Sequence, residues 1–338
     1  MGGSGHGVRG IVRPVSGLLI LDGNSLIYRA FFAISRDMVT RSGQETNAIF
    51  GFTQMLITLL REHEPDGVVV AFDRPGDTFR HERLPSYKAN RERQDDSLYQ
   101  QLDLVRELVD ALGFLVVEAE GFEADDVIAS LVKRLEVESP DLQVRILSRD
   151  KDLTQVLRAG VELFDIHKDA SVTAEDVFKT EGVEPSHVVD ILSLMGDSSD
   201  NIPGVPGIGP KTAAKLVLEY GSIDGIYAQI DQIKGKRHEN LVGAQDRMPL
   251  NRELVQLRSD IELDFSLEQA SVDTAGFPID RMAAFFQELG FNRFQSDVRD
   301  LATVHHNDAV AVLEVLQCVR AEHSGLASEL AQDGLLHN

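Results

Sequence analysis

The chain has 338 residues, of which 43% are hydrophobic, and it contains a single cysteine, Cys318. This length is enough for roughly two domains with buried cores, and one cysteine excludes a disulfide framework within the chain and fits a reducing cytoplasm. The formal net charge of −22 argues against general binding of DNA over the whole surface, because phosphate binding depends on Lys and Arg. No apolar run approaches the ~20 residues that a membrane-spanning helix needs.

The charges are unevenly distributed along the chain. From Asp260 to the end there are fourteen Asp or Glu residues against four Arg and no Lys. By contrast, residues 74–93 carry six Lys or Arg against three acids. Residues 1–16 are rich in Gly and lack the apolar core of a secretory signal, so they are expected to be a flexible leader. Residues 301–338 form a tail in which no site is recognised.

Short apolar runs alternate with amphipathic helical patterns in the first half of the chain. In order they are LLILD, a helix near residues 47–62, VVVAFD, a helix near residues 98–112, FLVVE, a helix through Val137, and VRILS. This alternation predicts an α/β domain whose parallel sheet is covered by helices on both faces. After about Pro185, short helical patterns are separated by Gly and Pro turns, which predicts a second, smaller helical domain.

Acidic side chains follow the predicted strands. In an open parallel sheet the carboxyl ends of the strands face one crevice, so these acids should converge there. The set is Asp22, Asp73, Glu123, Asp125, Asp126, Asp150, Asp152, Asp197 and Asp200. Acids in a first helical turn also serve as caps, but nine carboxylates at one rim repel one another unless cations compensate them. Oxygen ligands without His or Cys favour two Mg²⁺ or Mn²⁺ ions, and such ions predict phosphodiester hydrolysis.

The segment SDNIPGVPGIGPKTAAKLVLEYGS predicts a glycine-rich hairpin followed by a helix. Gly204, Gly207 and Gly209 permit tight turns and close approach of the backbone to a ligand. The helix begins at Pro210, and its free N–H groups together with Lys211, Thr212 and Lys215 can receive a phosphate. A helical connector without a ligand is the alternative.

The segment FRHERLPSYKANRER lies between a strand and a helix and is basic. As a bridge over the crevice it would bring positive charge above the acids. Lys88 and Arg91 would share a face if the segment is helical, and Tyr87 could stack on a base. The alternative is a mobile surface loop whose charges serve solubility.

Other catalytic motifs are absent from the sequence. No GKS or GKT phosphate loop follows the leader, and GVPGIG lies in the helical region, so a nucleotide cofactor is not expected. His167, His187 and His238 lack the spacing of metal ligands.

Six motifs occur in the order found in one family of nucleases. They are LLILDGNSLIYRAFFA, VVVAFD, FRHERLPSYKANR, GFEADDVIASL, SRDKDLTQVL and GDSSDNIPGVPGIGPKTA. Together they resemble the 5′-nuclease family, which includes the 5′-nuclease domains of bacterial DNA polymerase I and the phage and eukaryotic flap endonucleases. The resemblance runs from about residue 17 to about residue 300.

The resemblance implies a PIN-like catalytic domain over residues 17–182 with a basic arch at about 74–96. It also implies a helix-hairpin-helix-like DNA-binding domain over residues 183–300 with its hairpin at about 198–221. It implies Mg²⁺ or Mn²⁺ as cofactors, a K⁺ ion held by hairpin carbonyls, and DNA with 5′ flaps or 5′ ends as substrate. A DNA polymerase is an implied partner, whether this chain stands alone or is a separated domain.

Residue roles are carried over from the family on matching motif positions. Asp22, Asp73, Glu123, Asp125 and Asp126 would hold the first metal ion, and Asp150, Asp152, Asp197 and Asp200 the second. Lys88 and Arg91 match positions that contact the scissile phosphate. Arg80 and Tyr87 belong to the same basic segment and are expected to contact DNA.

Two further hypotheses fit the same residues. A DNA-structure-binding module without turnover would retain the hairpin, although all nine acids are present. A PIN-type ribonuclease would use the same carboxylates, because metal-bound carboxylates alone do not select DNA over RNA.

Overall fold

The computed structural model describes residues 15–303. The predicted leader up to residue 14 and the predicted tail from residue 304 lie outside the described residues. Six strands form one sheet in the order β3-β2-β1-β4-β5-β6, with β6 antiparallel to β5 and the other neighbours parallel. The strands are β1 (Gly17–Asp22), β2 (Gly67–Ala71), β3 (Leu115–Val117), β4 (Gln143–Leu147), β5 (Val161–Asp165) and β6 (Ala170–Val172).

Helices cover both faces of this sheet, as predicted. They are α1 (Gly23–Ala33), α2 (Asn47–Glu62), α3 (Phe79–Arg83), α4 (Asp96–Ala111), α5 (Ala124–Glu138) and α6 (Ala174–Glu181). Leu18 and Ile20 of β1 pack in one core cluster with α5, while Leu19 and Leu21 are buried on the opposite face. Burial on both faces explains why β1 and β2 are continuous apolar runs.

The strand order creates a crevice at the carboxyl edge of the sheet. β1 lies between β2 and β4. The chain runs from β1 to β2 and β3 on one side, and then crosses to β4 and β5 on the other side of β1. Ligands of open parallel sheets bind at such a switch point. Asp22 ends β1, Asp73 follows β2 and Asp150 follows β4, so the sheet brings the three acids to one edge.

A second core follows the sheet. Its elements are α7 (Val188–Met195), β7 (Gly196–Asp197), β8 (Ile202–Pro203), α8 (Pro210–Tyr220), α9 (Ile223–Ala228), α10 (Lys236–Ala244) and α11 (Met248–Val255). Leu194, Val205, Val217, Ile226 and Leu241 are all buried in it. The predicted change from strands to short helices is therefore confirmed, apart from the two-residue pair β7 and β8.

Contacts divide the chain into two compact units, between Val272 and Asp273. The division falls inside residues 183–300, which the sequence predicts as one domain. In the second unit, Asp273 caps a short 3₁₀ turn, and α12 (Ile279–Glu288) carries Phe285 and Phe286, which pack edge to face. In the part of the chain that the structure describes, no helix is both long and apolar enough to cross a membrane.

Candidate active site

A cleft of about 670 Å³ opens at the carboxyl edge of the sheet. Eight of the nine predicted acids line it: Asp22, Asp73, Glu123, Asp125, Asp150, Asp152, Asp197 and Asp200. Lys88 and Arg91 line the same cleft. The exception among the acids is Asp126.

Asp22 and Asp73 are fixed by the ends of their strands. Asp22 caps α1 by accepting the N–H of Ser25 at 3.1 Å, and its second oxygen accepts the hydroxyl of Ser148 at 2.7 Å. Asp73 accepts the N–H of Ala124 at 2.7 Å, which ties the end of β2 to the first turn of α5. Burial, and then the nearby charges of Asp73 and Asp150, raise the pKa of Asp22 to about 7. Burial also raises the pKa of Asp73.

Asp125 faces the other acids from the first turn of α5. Burial, followed by the charges of Asp22, Asp150 and Asp73, holds its pKa well above the usual range. Glu123 caps the same helix and accepts the ammonium of Lys88 at 2.5 Å. The sheet and α5 thus bring together carboxylates that disfavour each other's ionised form.

The second acidic group comes from two loops. Asp150 accepts the N–H of Asp152 at 2.9 Å. Burial, and then the charge of Asp150, raise the pKa of Asp152 to about 7. Asp197 accepts the N–H of Ser199 at 2.8 Å and lies 3.6 Å from Lys151 Nζ. Asp200 is bound by Arg91 and by the hydroxyl of Tyr87 at 3.1 Å.

No three Asp, Glu, His or Cys side chains within residues 15–303 already form a closed metal-ligand shell. Three of the carboxylates are instead ion-paired: Glu123 with Lys88, Asp200 with Arg91 and Asp197 with Lys151. The donor set nevertheless fits hard divalent cations, because the acids that line the cleft offer only oxygen. Among the described residues, Asp152 Oδ1 is buried without a hydrogen-bond partner. Burial, followed by the charges of neighbouring carboxylates, raises the pKa values of Asp22 and Asp125, and a bound cation would offset both effects.

The basic segment FRHERLPSYKANRER enters the cleft through a series of backbone turns that follow α3. Residues 85–90 form turns and not a helix, so the shared helical face expected for a helical segment does not form around Lys88 and Arg91. Lys88 has φ +54° and donates its backbone N–H to the carbonyl of Asp200 at 3.0 Å. Asn90 donates to Ser198 O at 2.8 Å, and Asn201 donates to Ser86 O at 2.8 Å. These bonds join the segment to the acidic loop and direct both cations into the cleft.

Tyr87 is buried, whereas stacking on a base requires an exposed ring face. Its side chain is buried, with the residue 3% exposed, in a cluster with Leu192 and Ile202. Its hydroxyl contacts Glu123 and Asp200 at 3.1 Å each. The ring therefore has no open face for a base in this arrangement, and its contacts are those of a support beneath the two acids.

Arg80 and Asp126 form a buried ion pair. Arg80 Nη1 and Nη2 donate to the two oxygens of Asp126 at 2.5 and 2.8 Å, and Arg80 Nε donates to Leu254 O at 2.7 Å. Asp126 also accepts the N–H groups of Glu123 and Arg258. All of these donors saturate the carboxylate, so the geometry gives no support to direct metal binding by Asp126 or to a DNA contact by Arg80.

The hairpin glycines differ in what the backbone requires. A Cβ on Gly204 would lie 1.7 Å from the carbonyl oxygen of Met195, so only glycine fits there. Gly207 has φ +75°, in the left-handed region. Gly209 has φ −102° and open space around it, so neither a close backbone contact nor a positive φ requires glycine at this position. Pro210 is the first residue of α8, as predicted, and Lys211 and Lys215 are exposed on that helix, with Thr212 half-buried.

Sequence reasoning missed two partners of these acids. Ser148 donates to Asp22, and Asn24 accepts the backbone N–H of Asp73 at 3.1 Å. Both lie within motifs quoted above, Ser148 in SRDKDLTQVL and Asn24 in LLILDGNSLIYRAFFA. A polar residue next to a strand-end acid is the signal that could have identified them.

The chain thus combines a mostly parallel sheet, with a carboxylate-lined cleft at its carboxyl edge, and a helical core that carries a glycine hairpin. Residues 17–182 match the family described as 5'-3' exonuclease, N-terminal resolvase-like domain, and residues 183–276 match 5'-3' exonuclease, C-terminal SAM fold. The chain belongs to the 5′-3′ exonuclease family.

Bacterial DNA polymerases I are among its relatives. That of Bacillus caldotenax is 40% identical over 283 residues, covering 82% of this chain and 32% of that protein. That of Mycobacterium tuberculosis is 41% identical over 251 residues, covering 73% of this chain and 28% of that protein. The chain thus spans about a third of the length of these relatives.

Two solved structures share the fold. T5 5'-exonuclease with bound divalent metal ions (zinc) has a TM-score of 0.60 at 24% identity, covering 85% of this chain and 99% of that one. The catalytic core of Rad2 in complex with DNA substrate has a TM-score of 0.56 at 17% identity, covering 85% and 91%. The mostly parallel sheet with an attached helical part is common to all three.

Proposed function

We propose that this chain is a 5′-3′ exonuclease and 5′-flap endonuclease that hydrolyses DNA in replication and repair, for example at Okazaki-fragment primers or flaps in the bacterial cytoplasm. The convergence of eight carboxylates with Lys88 and Arg91 in one cleft carries the proposal. Two findings support it: T5 5'-exonuclease binds divalent metal ions, and the Rad2 core binds a DNA substrate. A DNA polymerase is the proposed partner, because the relatives are polymerases.

The carboxylates divide into two proposed ligand groups. Asp22, Asp73, Glu123 and Asp125 lie at the ends of β1 and β2 and at the start of α5. Asp150 and Asp152 come from the segment after β4, and Asp197 and Asp200 come from the end of β7 and the turn between β7 and β8. Bound Mg²⁺ or Mn²⁺ ions would supply Lewis acidity and an activated water for phosphodiester hydrolysis. Asp126 is left out of this set because Arg80 occupies its oxygens.

Lys88 and Arg91 are proposed to hold the scissile phosphate. Both cations enter the cleft from the turn segment that is hydrogen-bonded to the acidic loop, so their position is fixed before DNA binds. Positive charge held at the reacting phosphate stabilises the charge that develops in the transition state.

The hairpin is the proposed anchor for duplex DNA. Gly207 and Gly209 are exposed at the start of α8, beside Lys211. A K⁺ ion bound by hairpin carbonyls is also proposed. The carbonyls of Gly204 and Pro206 already accept hydrogen bonds from Arg247 and Asn240, so the ion would use the remaining ones.

Substitution of Gly207 by Val tests the anchor. We expect Gly207→Val to weaken binding to duplex-containing DNA more than binding to single strands, because φ +75° is strained for a β-branched residue. Its added Cβ would meet only Asn240 Nδ2, at 3.8 Å, so the effect is conformational. Titrations of both DNAs measure it, with Gly243→Ala on α10 as a control at an unconstrained glycine. Equal losses on both DNAs would contradict the anchor.

Metal binding should stabilise the protein more at high pH. Asp22, Asp125 and Asp152 have raised pKa values in the folded state. For Asp22 and Asp152 this contribution to stability is therefore full below the unfolded pKa near ~4 and is lost as the pH rises through about 7. The raised pKa of Asp125 acts in the same direction. Divalent cations compensate the ionised forms, which predominate at high pH.

Thermal unfolding with and without Mn²⁺ measures this linkage. We expect a larger rise in Tm on adding Mn²⁺ at about pH 8 than at about pH 5.5. Surface acids with lowered pKa values, such as Asp95 and Asp260, act in the opposite direction but cancel in the comparison. Equal shifts at both pH values, with saturating metal, would contradict the carboxylate site.

Matched substrates decide between this function and its alternatives. A 5′-flap DNA, the same flap in RNA, and a linear single strand are incubated with Mg²⁺ under identical conditions. We expect cleavage of the DNA flap near its junction and slower cleavage of the others. Preference for RNA would favour a ribonuclease, and tight binding without cleavage would favour a structure-binding module.

A further inference from the structure

The hairpin contains a tight turn formed by Val205, Pro206, Gly207 and Ile208. The N–H of Ile208 donates to the carbonyl of Val205 at 3.0 Å, and Gly207 has φ +75°. Proline in the second position and a positive φ in the third are the signature of a type II turn. Val205 and Ile208 are buried, which leaves the central Pro206–Gly207 peptide at the surface.

Asn240 on α10 holds this central peptide. Its Nδ2 donates to the carbonyl of Pro206 at 2.8 Å. In a trans peptide the carbonyl of one residue and the N–H of the next point in opposite directions. The bond from Asn240 therefore directs the Gly207 N–H away from α10. Within residues 15–303 that N–H donates to no protein acceptor.

Two more N–H groups lie close by in the chain. Those of Gly209 and Lys211 likewise have no protein acceptor among the described residues. Gly207, Gly209 and Lys211 are all exposed. Unpaired N–H groups at a turn and at the start of a helix are suited to binding a phosphate oxygen.

Two other side chains fix the peptides before the turn. Arg247 Nη2 donates to Gly204 O at 2.7 Å, and Asn251 Nδ2 donates to Pro203 O at 2.8 Å. Asn251 is buried and Arg247 is partly buried, whereas the bond from Asn240 is exposed. The central peptide is thus the part of the hairpin whose orientation depends on one surface side chain.

We propose that Asn240 is a positioning residue for duplex binding, which holds the Pro206–Gly207 peptide so that the Gly207 N–H meets a DNA backbone phosphate. Type I and type II turns differ by a flip of this peptide. Without Asn240 the peptide can turn over and present its carbonyl, whose negative end repels phosphate. The contact involves no base, so it adds affinity without sequence preference. This proposal rests on the proposed role of the hairpin as duplex anchor.

Salt-dependent binding of a 5′-flap DNA, measured in Ca²⁺, tests Asn240→Ala. We expect binding about 5- to 20-fold weaker, from the loss of one hydrogen bond to a charged group. The slope of log K against log salt should stay unchanged, because a neutral N–H releases no counterion. Lys211→Ala should instead reduce that slope by about one.

A control and a phosphate scan complete the test. Gln229→Ala removes an exposed amide whose oxygen accepts a hydrogen bond from Gln232, its one side-chain partner among residues 15–303, so this variant should bind DNA normally. A series of flap DNAs is then prepared, each with a neutral methylphosphonate in place of one phosphate. At one position this replacement should lower the affinity of the wild type for the flap but cause no further loss of affinity in Asn240→Ala. The exposed position of the bond keeps the variant folded, which its melting curve checks.

The outcomes distinguish the positioning role of Asn240 from the proposed role of the hairpin as duplex anchor. Three results for Asn240→Ala would overturn the positioning role. They are an affinity for flap DNA equal to that of the wild type, a changed slope of log K against log salt, and a loss of affinity at every methylphosphonate position as large as that of the wild type. If Gly207→Val weakens duplex binding and Asn240→Ala does not, only this proposal fails. If neither variant changes duplex binding, the hairpin is not the anchor and that part of the proposed function fails with it.

Discussion

Lys88→Ala is expected to slow the chemical step by about 10²- to 10³-fold while binding to DNA changes little. Lys88 Nζ lies in the cleft, 2.5 Å from Glu123 Oε1 and 4.9 Å from the centre of the Tyr87 ring. A cation fixed there acts mainly on the transition state, in which the reacting phosphate gains negative charge. A general phosphate anchor would instead contribute to affinity and to its salt dependence.

Single-turnover cleavage of a 5′ flap with enzyme in excess measures this effect, beside binding in Ca²⁺. Arg93→Ala is the matched control, because Arg93 lines the same cleft but is exposed and paired with Asp96. It removes the same charge without touching a cleft acid, and we expect a near-normal rate. A normal saturating rate for Lys88→Ala with weakened binding would reduce Lys88 to an anchor and transfer the catalytic role to Arg91 or the metal site.

Asp125→Ala and Asp150→Ala are each expected to reduce cleavage by more than about 10²-fold while the fold and most DNA binding remain. Asp125 has a pKa well above the usual range because of burial and of facing Asp22, Asp150 and Asp73. Removal of one of several repelling carboxylates therefore relieves strain in the metal-free protein. We expect the metal-free Asp125→Ala variant to melt at or above the wild-type temperature at about pH 8.

Glu175→Ala is the control for the loss of an acid from a first helical turn. Glu175 occupies that position in α6, where it is exposed and paired with Lys179. Its loss should leave cleavage unchanged, so any defect in Asp125→Ala cannot be assigned to the helix dipole. Wild-type turnover of Asp125→Ala or of Asp150→Ala in Mg²⁺ would contradict the proposed ligand groups.

The sheet and the position of its acids could be predicted from the sequence. The runs LLIL, VVVA and VRIL are local signals, and the acid after each run must reach the same edge of a parallel sheet. β5 and β6 were not predicted, since VELFD interrupts its apolar residues with Glu162 and β6 has only three residues.

Side chains whose role depends on distant contacts were the hardest to predict. Arg80 meets Asp126 across 46 positions of sequence and the carbonyl of Leu254 across 174. Nothing local distinguishes Arg80 from an exposed arginine, or Asp126 from the neighbouring Asp125. Helical periodicity places these two acids on different faces of α5, but only the tertiary fold decides which face opens to the cleft.

The hydrogen bond from Asn240 to the hairpin is likewise a contact between residues far apart in the sequence. The residues PG predict a turn, and Gly207 indicates a positive φ, but the direction of their shared peptide is set by a side chain 34 positions away. The sequence could therefore predict the turn but not the group that fixes its orientation.

Cleavage of a 5′-end-labelled flap DNA in Mg²⁺, compared with the same reaction in EDTA, tests the proposed function most directly. We expect the wild type to release the flap by cutting near its junction only when Mg²⁺ is present, and Asp125→Ala to release almost none. Flap release at the same rate in EDTA, or no release by a folded wild type that binds the DNA, would contradict a metal-dependent nuclease site in this cleft.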